Sequence, residues 1–224
     1  PHRIREGYGL QPGHITEYAA PNGIDLIITA DCGSGSHQAV AAAAAAGIDV
    51  IITDHHQIID RLPPAVAVIN PHRPDGCAGF ENLAGVGVAF CLLIGLRKRL
   101  RETLFRQAAA EPNLKEFCDL VAVGTVADVV PLRGANRIFT AAGLGVIQTA
   151  GRPGLSALML ESGTHPQTVD ARAIAYRLAP RLNAAGRLDH AATAVELLTT
   201  RNPDTAGRIA AKLNALNRER QEIE

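Results

Sequence analysis

Acidic and imidazole side chains stand directly after two short apolar segments of this chain. Asp31 follows the first segment, and the row Asp54, His55 and His56 follows the second. Carboxylates and imidazoles without a thiolate suit Mn²⁺ or Mg²⁺, and the imidazole favours Mn²⁺. Two such ions about 3.5–4 Å apart can clamp a phosphoryl group and lower the pKa of a bridging water. The residue types therefore point to metal-assisted chemistry at a phosphate.

The surrounding elements predict that these side chains converge. Apolar runs at residues 26–29 and 50–53 predict two buried strands, and the alanine-rich segment 36–46 between them predicts a helix that ends at Gly47. Strand, helix and strand form a βαβ unit with parallel strands. Residues 66–69 predict a third strand. Because ligands bind outside the carboxyl ends of parallel strands, we expect a site at this edge of the sheet.

Asp128 is a further candidate ligand, because it follows the apolar run 120–127 and could reach the same edge. Each residue taken alone also has an ordinary structural reading, since a single aspartate after a strand is more often a helix cap or a turn residue. Adjacent histidines can be a simple surface pair. The combination is harder to explain in this way, because Asp-His-His at one strand end and Asp31 at the other form a costly polar cluster unless something compensates it.

The rest of the chain has mainly helical periodicity. Helices are predicted at residues 14–20, 84–110, 136–150, 155–162, 170–178, 192–199 and 203–224, and residues 114–123 predict a helix or another buried segment. The predicted fold class is α/β, with a mostly parallel sheet flanked by helices and a helical C-terminal part.

Composition limits the possible functions. The formal net charge is zero, so a site for a polyanion must be local rather than a general basic excess. Aromatic residues make up 4% and Trp is absent, which disfavours a base-stacking platform. The four cysteines show no CxxC spacing, so a reduced, cytoplasmic compartment is the simpler expectation. No apolar run reaches the roughly 18–20 residues that a membrane span needs, and no membrane partner is expected.

Several motifs resemble those of the DHH phosphoesterase superfamily. They are ITDHH around the two histidines, TADCGSGS around Asp31, and GTVADVVPL around Asp128. Four further segments are similar to the single-strand-specific 5′→3′ DNA exonucleases of that superfamily, which serve bacterial repair and recombination: EGYGL, LAGVGVAFCLL, PRLNAAGRLDHA and LNALNRERQEIE. The resemblance covers essentially the whole chain, with the motifs in the same order, and implies a DHH-type core.

The resemblance implies a role for each residue of the cluster. Asp31 would bridge two divalent cations, for which Mn²⁺ is preferred and Mg²⁺ is possible. His55 and Asp128 would each bind one of the ions. His56 would face the substrate phosphate, and Asp54 would orient the site, as carboxylates commonly do for metal-bound imidazoles.

The RLNAAGR segment supplies the candidate contacts to nucleic acid. The resemblance implies that Asn183 and Arg187 lie near the DNA backbone or the scissile phosphate, with Arg181 a weaker candidate. An arginine fork suits phosphate geometry. On residue type alone, a salt bridge or a carbonyl cap explains Arg187 about equally well, and Asn183 could be a turn residue beside Gly186.

The resemblance also implies a domain organisation. Residues 1–202 would be a partial DHH domain, because the aspartate-rich first motif of the family, on a preceding strand, is absent. Residues 203–224 would begin a connector helix to a second, DHHA1-type domain. The chain by itself is therefore expected to have little or no nuclease activity, whereas the full-length protein would be an enzyme.

The expected function is hydrolysis of single-stranded DNA from the 5′ end, releasing mononucleotides. Single-strand-binding protein and a helicase are candidate protein partners. One alternative is a DHH-family phosphodiesterase that acts on short oligonucleotides or cyclic dinucleotides. A second alternative is a non-catalytic DHH-fold scaffold that binds nucleic acid or a partner. A doubly wound nucleotide-binding module is excluded, because no glycine-rich phosphate loop of the right form follows the first strand.

Overall fold

The computed structural model describes residues 6–76, 79–105, 110–149, 151–188 and 190–223, and the side chains of residues 187 and 188 lie outside this description. The described chain forms two compact units. The first contains residues 6–114 and 133–136, and the second contains residues 115–132 and 137–223.

A three-stranded parallel sheet organises the first unit. The strands are β1 (Leu26–Ala30), β2 (Asp49–Thr53) and β3 (Ala67–Ile69), in the order β1-β2-β3. The register pairs Ala30 with Thr53, and Thr53 with Ile69, so the three strands end at the same edge. The predicted parallel strands are confirmed, and their carboxyl ends are adjacent.

Helices pack against this sheet because small residues allow close approach. Helix α1 (His37–Ala45) connects β1 to β2, and its buried Val40 and Ala43 join a core with Val50 and Ile52 of β2. A π-helical segment (His14–Ala19) adds Ile15 and Ala19 to this core.

Helix α2 (Gly85–Arg101) is shorter than the predicted helix at 84–110. It ends because the backbone amides of Thr103 and Phe105 both donate to the carbonyl of Leu100, which closes the last turn. Residues 106–109 of the predicted helix lie outside the described residues.

The remaining elements are helical. They are a 3₁₀ turn (Leu114–Phe117), α3 (Cys118–Ala127), α4 (Gly134–Gln148), α5 (Pro153–Glu161), a second 3₁₀ turn (Pro166–Thr168), a short helical turn (Ala171–Ala173), a π-helix (Ile174–Leu178), α6 (Ala179–Leu188), α7 (Ala192–Thr199) and α8 (Pro203–Ile223). The core of the second unit includes Leu155, Leu158, Ile174, Leu178, Leu197, Ile209 and Leu213.

Helix α6 corrects a prediction made from proline. The sequence predicted a helix that ends at Leu178, before Pro180, whereas the backbone continues without a break into α6. Proline is tolerated there because it lies two residues after the π-helix, whose wider hydrogen-bond spacing accommodates a residue without an amide proton. Asn183 and Gly186 are therefore helical residues, and Asn183 is not in a turn.

The fold class is confirmed, since a small parallel sheet accompanies a mostly helical chain. Helix α8 packs Ile209 and Leu213 into the core of the second unit. A division of the chain at residues 202 and 203 stays a prediction. Among the described residues, no helix combines the length and the apolar character needed to cross a membrane.

Candidate metal centre

Three candidate ligands meet at the carboxyl ends of β1 and β2. Oδ1 of Asp31 lies 3.0 Å from Nε2 of His55. One ligand atom each from Asp31, His55 and His56 lies within 4.8 Å of the other two. This cluster includes His56, which the resemblance assigned to the substrate rather than to a metal. A carboxylate and two imidazoles at this spacing form a donor set that fits Mn²⁺.

Asp54 holds the loop that carries the two histidines. Its side chain is only 3% exposed and accepts hydrogen bonds from the backbone amides of Ser34 (2.9 Å), His55 (2.8 Å) and His56 (3.2 Å). Burial by itself raises the pKa of Asp54, but hydrogen bonds from Ser34 and His56 outweigh burial and lower the pKa to about 2. Asp54 is therefore an anion at neutral pH.

The charge of Asp54 fixes the ring of His56. Nδ1 of His56 lies 2.7 Å from Oδ1 of Asp54. An ionised carboxylate can only accept a hydrogen bond, so Nδ1 of His56 must carry the proton that it donates to Asp54. The other ring nitrogen, Nε2, is then available to a ligand or a substrate. The half-exposed ring of His56 lies 4.7 Å from the ring of His55, centroid to centroid.

Asn70 connects all three strand ends and is not among the site residues predicted from the sequence. Its Nδ2 donates to Oγ of Ser34 and to the carbonyl of His56, both at 2.9 Å, and its Oδ1 accepts from the amide of His72 at 2.8 Å. The residue is 4% exposed. A signal was present, because Asn70 is the polar residue directly after the third strand, at the edge already used to select Asp31.

A cleft of about 540 Å³ opens beside His56 in the first unit. Polar side chains on its wall include Tyr8, Gln11, Ser36 and Gln57. The cluster thus lies next to a space that can take part of a ligand.

Asp128, the other predicted ligand, belongs to the second unit. The apolar run before it lies in helix α3, and Asp128 is the C-cap residue, whose amide donates to the carbonyl of Gly124. Its neighbour Val129 has a positive φ of 60°. The role of Asp128 as a metal ligand stays a prediction.

The three candidates for nucleic-acid contact lie on α6. Nε of Arg181 donates to Oδ1 of Asn214 at 2.9 Å, and its Nη1 donates to the carbonyl of Arg177 at 2.6 Å. Burial lowers the pKa of Arg181 from its ordinary value. Asn183 is exposed. The side chain of Arg187 lies outside the described residues.

Comparison with known families identifies the class of protein. The model of the DHH family, N-terminal domain, matches residues 3–125. The chain therefore belongs to the DHH family, as its motifs predicted.

Known relatives are similar over the whole length of the chain. The single-stranded-DNA-specific exonuclease RecJ of Salmonella typhimurium is 48% identical over 227 residues, which cover 100% of this chain and 39% of RecJ. A crystal structure of exonuclease RecJ bound to manganese has a TM-score of 0.85 at 36% identity, covering 99% of this chain and 53% of that structure. RecJ from Thermus thermophilus in complex with Mg²⁺ has a TM-score of 0.67 at 35% identity, covering 88% and 26%. The predicted resemblance to single-strand-specific exonucleases is thus confirmed, and the chain spans about two fifths of the curated relative.

Proposed function

We propose that this chain carries part of the metal centre of a single-strand-specific DNA exonuclease. The enzyme would hydrolyse phosphodiester bonds from the 5′ end and release mononucleotides, in DNA repair and recombination. The observation that carries the proposal is the convergence of Asp31, His55 and His56 within 4.8 Å at the end of a parallel sheet. The similarity to manganese-bound exonuclease RecJ supports it.

The proposed ligands of two divalent cations are Asp31, His55 and Asp128, with Mn²⁺ preferred and Mg²⁺ accepted. When bound, such ions supply a water of lowered pKa and stabilise charge on the phosphoryl and leaving oxygens. The carboxylate of Asp54 holds the proton on Nδ1 of His56. Nε2 of His56 therefore keeps one direction, and in this proposal it faces the phosphate of the substrate.

The proposed contacts to DNA come from α6. Asn183 and Arg187 would bind the backbone near the scissile phosphate, with Arg181 as a weaker candidate. The exposure of Asn183 supports this role, since its amide is accessible to a ligand. Arg181 already donates to Asn214 and to the carbonyl of Arg177, so it has fewer donors left for a phosphate.

The chain alone is expected to be a poor nuclease. The first family motif, an aspartate-rich strand, would supply further ligands, and β1 offers an edge to which such a strand could pair. The strand order β1-β2-β3 places β1 at an edge of the sheet, and Leu26 and Ile28, which share one face of β1, are 46% and 56% exposed, so the described residues leave that face uncovered. We therefore propose that tight metal binding needs residues beyond these 224.

The test is a manganese-dependent assay on 5′-phosphorylated single-stranded oligonucleotides, with the protein at its natural full length and with this 224-residue chain. We expect release of mononucleotides by the full-length protein and little turnover by the chain. Faster hydrolysis of dinucleotides or cyclic dinucleotides than of long single strands would favour the phosphodiesterase alternative. Binding of single strands without cleavage at any Mn²⁺ concentration would favour the scaffold.

Protein partners and compartment follow from the proposed role. A nuclease that needs single strands would work with a helicase that exposes them and with single-strand-binding protein that covers them. We propose a cytoplasmic enzyme, and the free thiols of Cys32, Cys91 and Cys118 are compatible with a reducing compartment. Co-purification of the full-length protein with tagged single-strand-binding protein would test the first of these partners.

A further inference from the structure

Asp31 has a backbone conformation that its neighbours must maintain. Its φ is 64°, and among the described residues only Asp31 and Val129 combine a positive φ with a side chain. A left-handed conformation costs roughly 1–2 kcal/mol for an L-residue, although aspartate tolerates it better than most. Such strained positions persist where surrounding contacts determine them, and they cluster at functional sites. The contacts of Asp31 therefore show what holds it.

Tyr8 holds the backbone of Asp31. Its hydroxyl donates to the carbonyl oxygen of Asp31 at 2.8 Å. The same tyrosine ring meets the ring of His56 edge-on, with centroids 6.1 Å apart and planes at 79°. Tyr8 is 55% exposed, so it contributes little to the hydrophobic core of the first unit. A half-exposed tyrosine that contacts two residues of one cluster is better explained by the cluster than by packing.

Gly85 leaves room for the side chain of Asp31. It is the first residue of α2, and a Cβ placed on it would lie 2.7 Å from Cγ and 2.8 Å from Cβ of Asp31, and closer still to Oδ1. Real Cβ atoms do not approach other atoms so closely. The three nearest atoms all belong to Asp31, so a methyl group at this position would displace that side chain specifically.

The start of α2 also favours a negative charge at this place. The helix is 17 residues long, and its N-cap residue, Ala84, provides no side-chain hydrogen bond. The first amides of a helix carry a partial positive charge, which stabilises a nearby carboxylate. The approach of Asp31 to Gly85 therefore combines steric access with electrostatic attraction.

We propose that Tyr8 and Gly85 are positioning residues of the metal centre. Tyr8 holds the carbonyl of Asp31, Gly85 provides the space for its carboxylate, and together they direct that carboxylate toward His55. Neither residue is among the predicted ligands or DNA contacts. The inference deepens the proposed function and rests on it for the identity of the metal.

The first experiment compares two glycines of the same helix, in the protein at its natural full length. In Gly85→Ala the new methyl group collides with Asp31, whereas a Cβ on Gly95 meets nothing within 4 Å. Binding of Mn²⁺ is measured from the loss of the electron paramagnetic resonance signal of the free ion. We expect Gly85→Ala to weaken binding roughly 10- to 100-fold, the usual range for residues that orient metal ligands, and Gly95→Ala to leave it unchanged.

The second experiment removes one hydroxyl group. Tyr8→Phe loses the hydrogen bond to Asp31 and keeps the ring beside His56, and Tyr18→Phe is the control at a tyrosine that is 68% exposed. We expect Tyr8→Phe to raise the Mn²⁺ concentration for half-maximal activity about 10-fold, with kcat largely restored at saturating Mn²⁺. Tyr18→Phe should behave as the wild type.

Stability and histidine spectra separate positioning from folding. The melting temperature of each metal-free variant should shift by less than about 4 °C. Wild-type Mn²⁺ binding by Gly85→Ala would overturn the proposal, and so would a larger loss of stability that accounts for the weakened binding. If the wild type itself binds no Mn²⁺, the proposed function fails, and the NMR signals of the ¹³C-labelled His55 ring decide the inference. Those signals must move in Gly85→Ala and not in Gly95→Ala, and otherwise the inference is wrong.

Discussion

The polar residues of the two units do different work. In the first unit, buried Asp54 and Asn70 bind loops at the strand ends, and these loops carry the candidate ligands. In the second unit, the ion pair of Arg152 with the buried Asp119 connects helices to one another. Nε of Arg152 lies 2.6 Å from Oδ2 of Asp119, and its Nη1 donates to the carbonyl of Leu198. Burial of polar groups therefore supports a site in one unit and helix packing in the other.

Backbone strain gives a second comparison. Among the described non-glycine residues, the first unit has a positive φ at Asp31 itself, and the second has one at Val129, the residue after Asp128. Val129 is β-branched, 88% exposed, and follows the C-cap of α3, where glycine is the common choice. Among the described residues, a left-handed non-glycine conformation therefore occurs at one predicted metal ligand, Asp31, and directly after another, Asp128.

The largest expected effect tests the structural role of the ion pair in the second unit. Arg152→Met would leave the 3%-exposed side chain of Asp119 buried without its partner, which typically costs about 3–5 kcal/mol. Urea unfolding measures the loss, and Arg201→Met, at an exposed arginine, is the control. Unchanged stability together with lost Mn²⁺ binding would contradict the division of roles.

The next effect tests the site in the first unit. Asp31→Asn keeps a residue that tolerates a positive φ but removes the charge of the proposed bridging ligand. We expect Mn²⁺ affinity of the full-length protein to fall by more than about 100-fold, beyond the effect of changing a residue that only orients a ligand. Asp49→Asn, at the opposite end of β2, should bind Mn²⁺ normally. Nuclease activity that survived in Asp31→Asn would show that the ligand assignment is wrong.

A pH dependence distinguishes Asp54 from ordinary surface carboxylates. Its pKa falls from 3.8 to about 2 on folding, so its contribution to the free energy of unfolding, about 2 kcal/mol, is present above pH 4. The contribution is lost as the pH falls from about 4 to about 2, where the folded carboxylate takes up its proton.

Urea unfolding of the metal-free chain at pH 5 and pH 2 measures the contribution of Asp54 to the free energy of unfolding. Asp54→Asn should be less stable than the wild type at pH 5. Between pH 5 and pH 2 it should lose about 2 kcal/mol less stability than the wild type loses. Asp49→Asn serves as the control. Equal acid sensitivity of the wild type and Asp54→Asn would mean that Asp54 is not held as the hydrogen bonds indicate.

The smallest effect concerns Val129. Val129→Gly relieves a strain of roughly 1–2 kcal/mol and adds a similar entropy to the unfolded chain, so stability should change by less than about 1 kcal/mol. If the turn orients Asp128 as Tyr8 and Gly85 orient Asp31, Mn²⁺ affinity of the full-length protein should still fall severalfold. If the Mn²⁺ affinity of Val129→Gly is unchanged, a strained backbone orients a metal ligand in the first unit only.

The parts of the site that depend on short stretches of sequence could be predicted from the sequence. Short apolar runs, an alanine-rich helix and Gly47 predicted β1, α1 and β2, and parallel strands end at one edge, so Asp31, His55 and His56 met as expected. The same rule would have selected Asn70 after β3. Other features needed long-range contacts. The helical backbone continues through Pro180 after a π-helix, and no local sequence pattern predicted that π-helix.

The sequence by itself determined the strands, the acidic and imidazole side chains at their ends, and the family whose motifs they share. Apolar runs, helix-forming alanines and fixed residue types act over a few neighbouring positions, so they can be read without coordinates. Only the tertiary structure decided how Asp31 is held. The hydroxyl of Tyr8 donates to the backbone of Asp31, and Gly85, which has no side chain, leaves room for its carboxylate. Both residues lie far from Asp31 in the sequence, and only the packing of the chain brings such distant segments into contact.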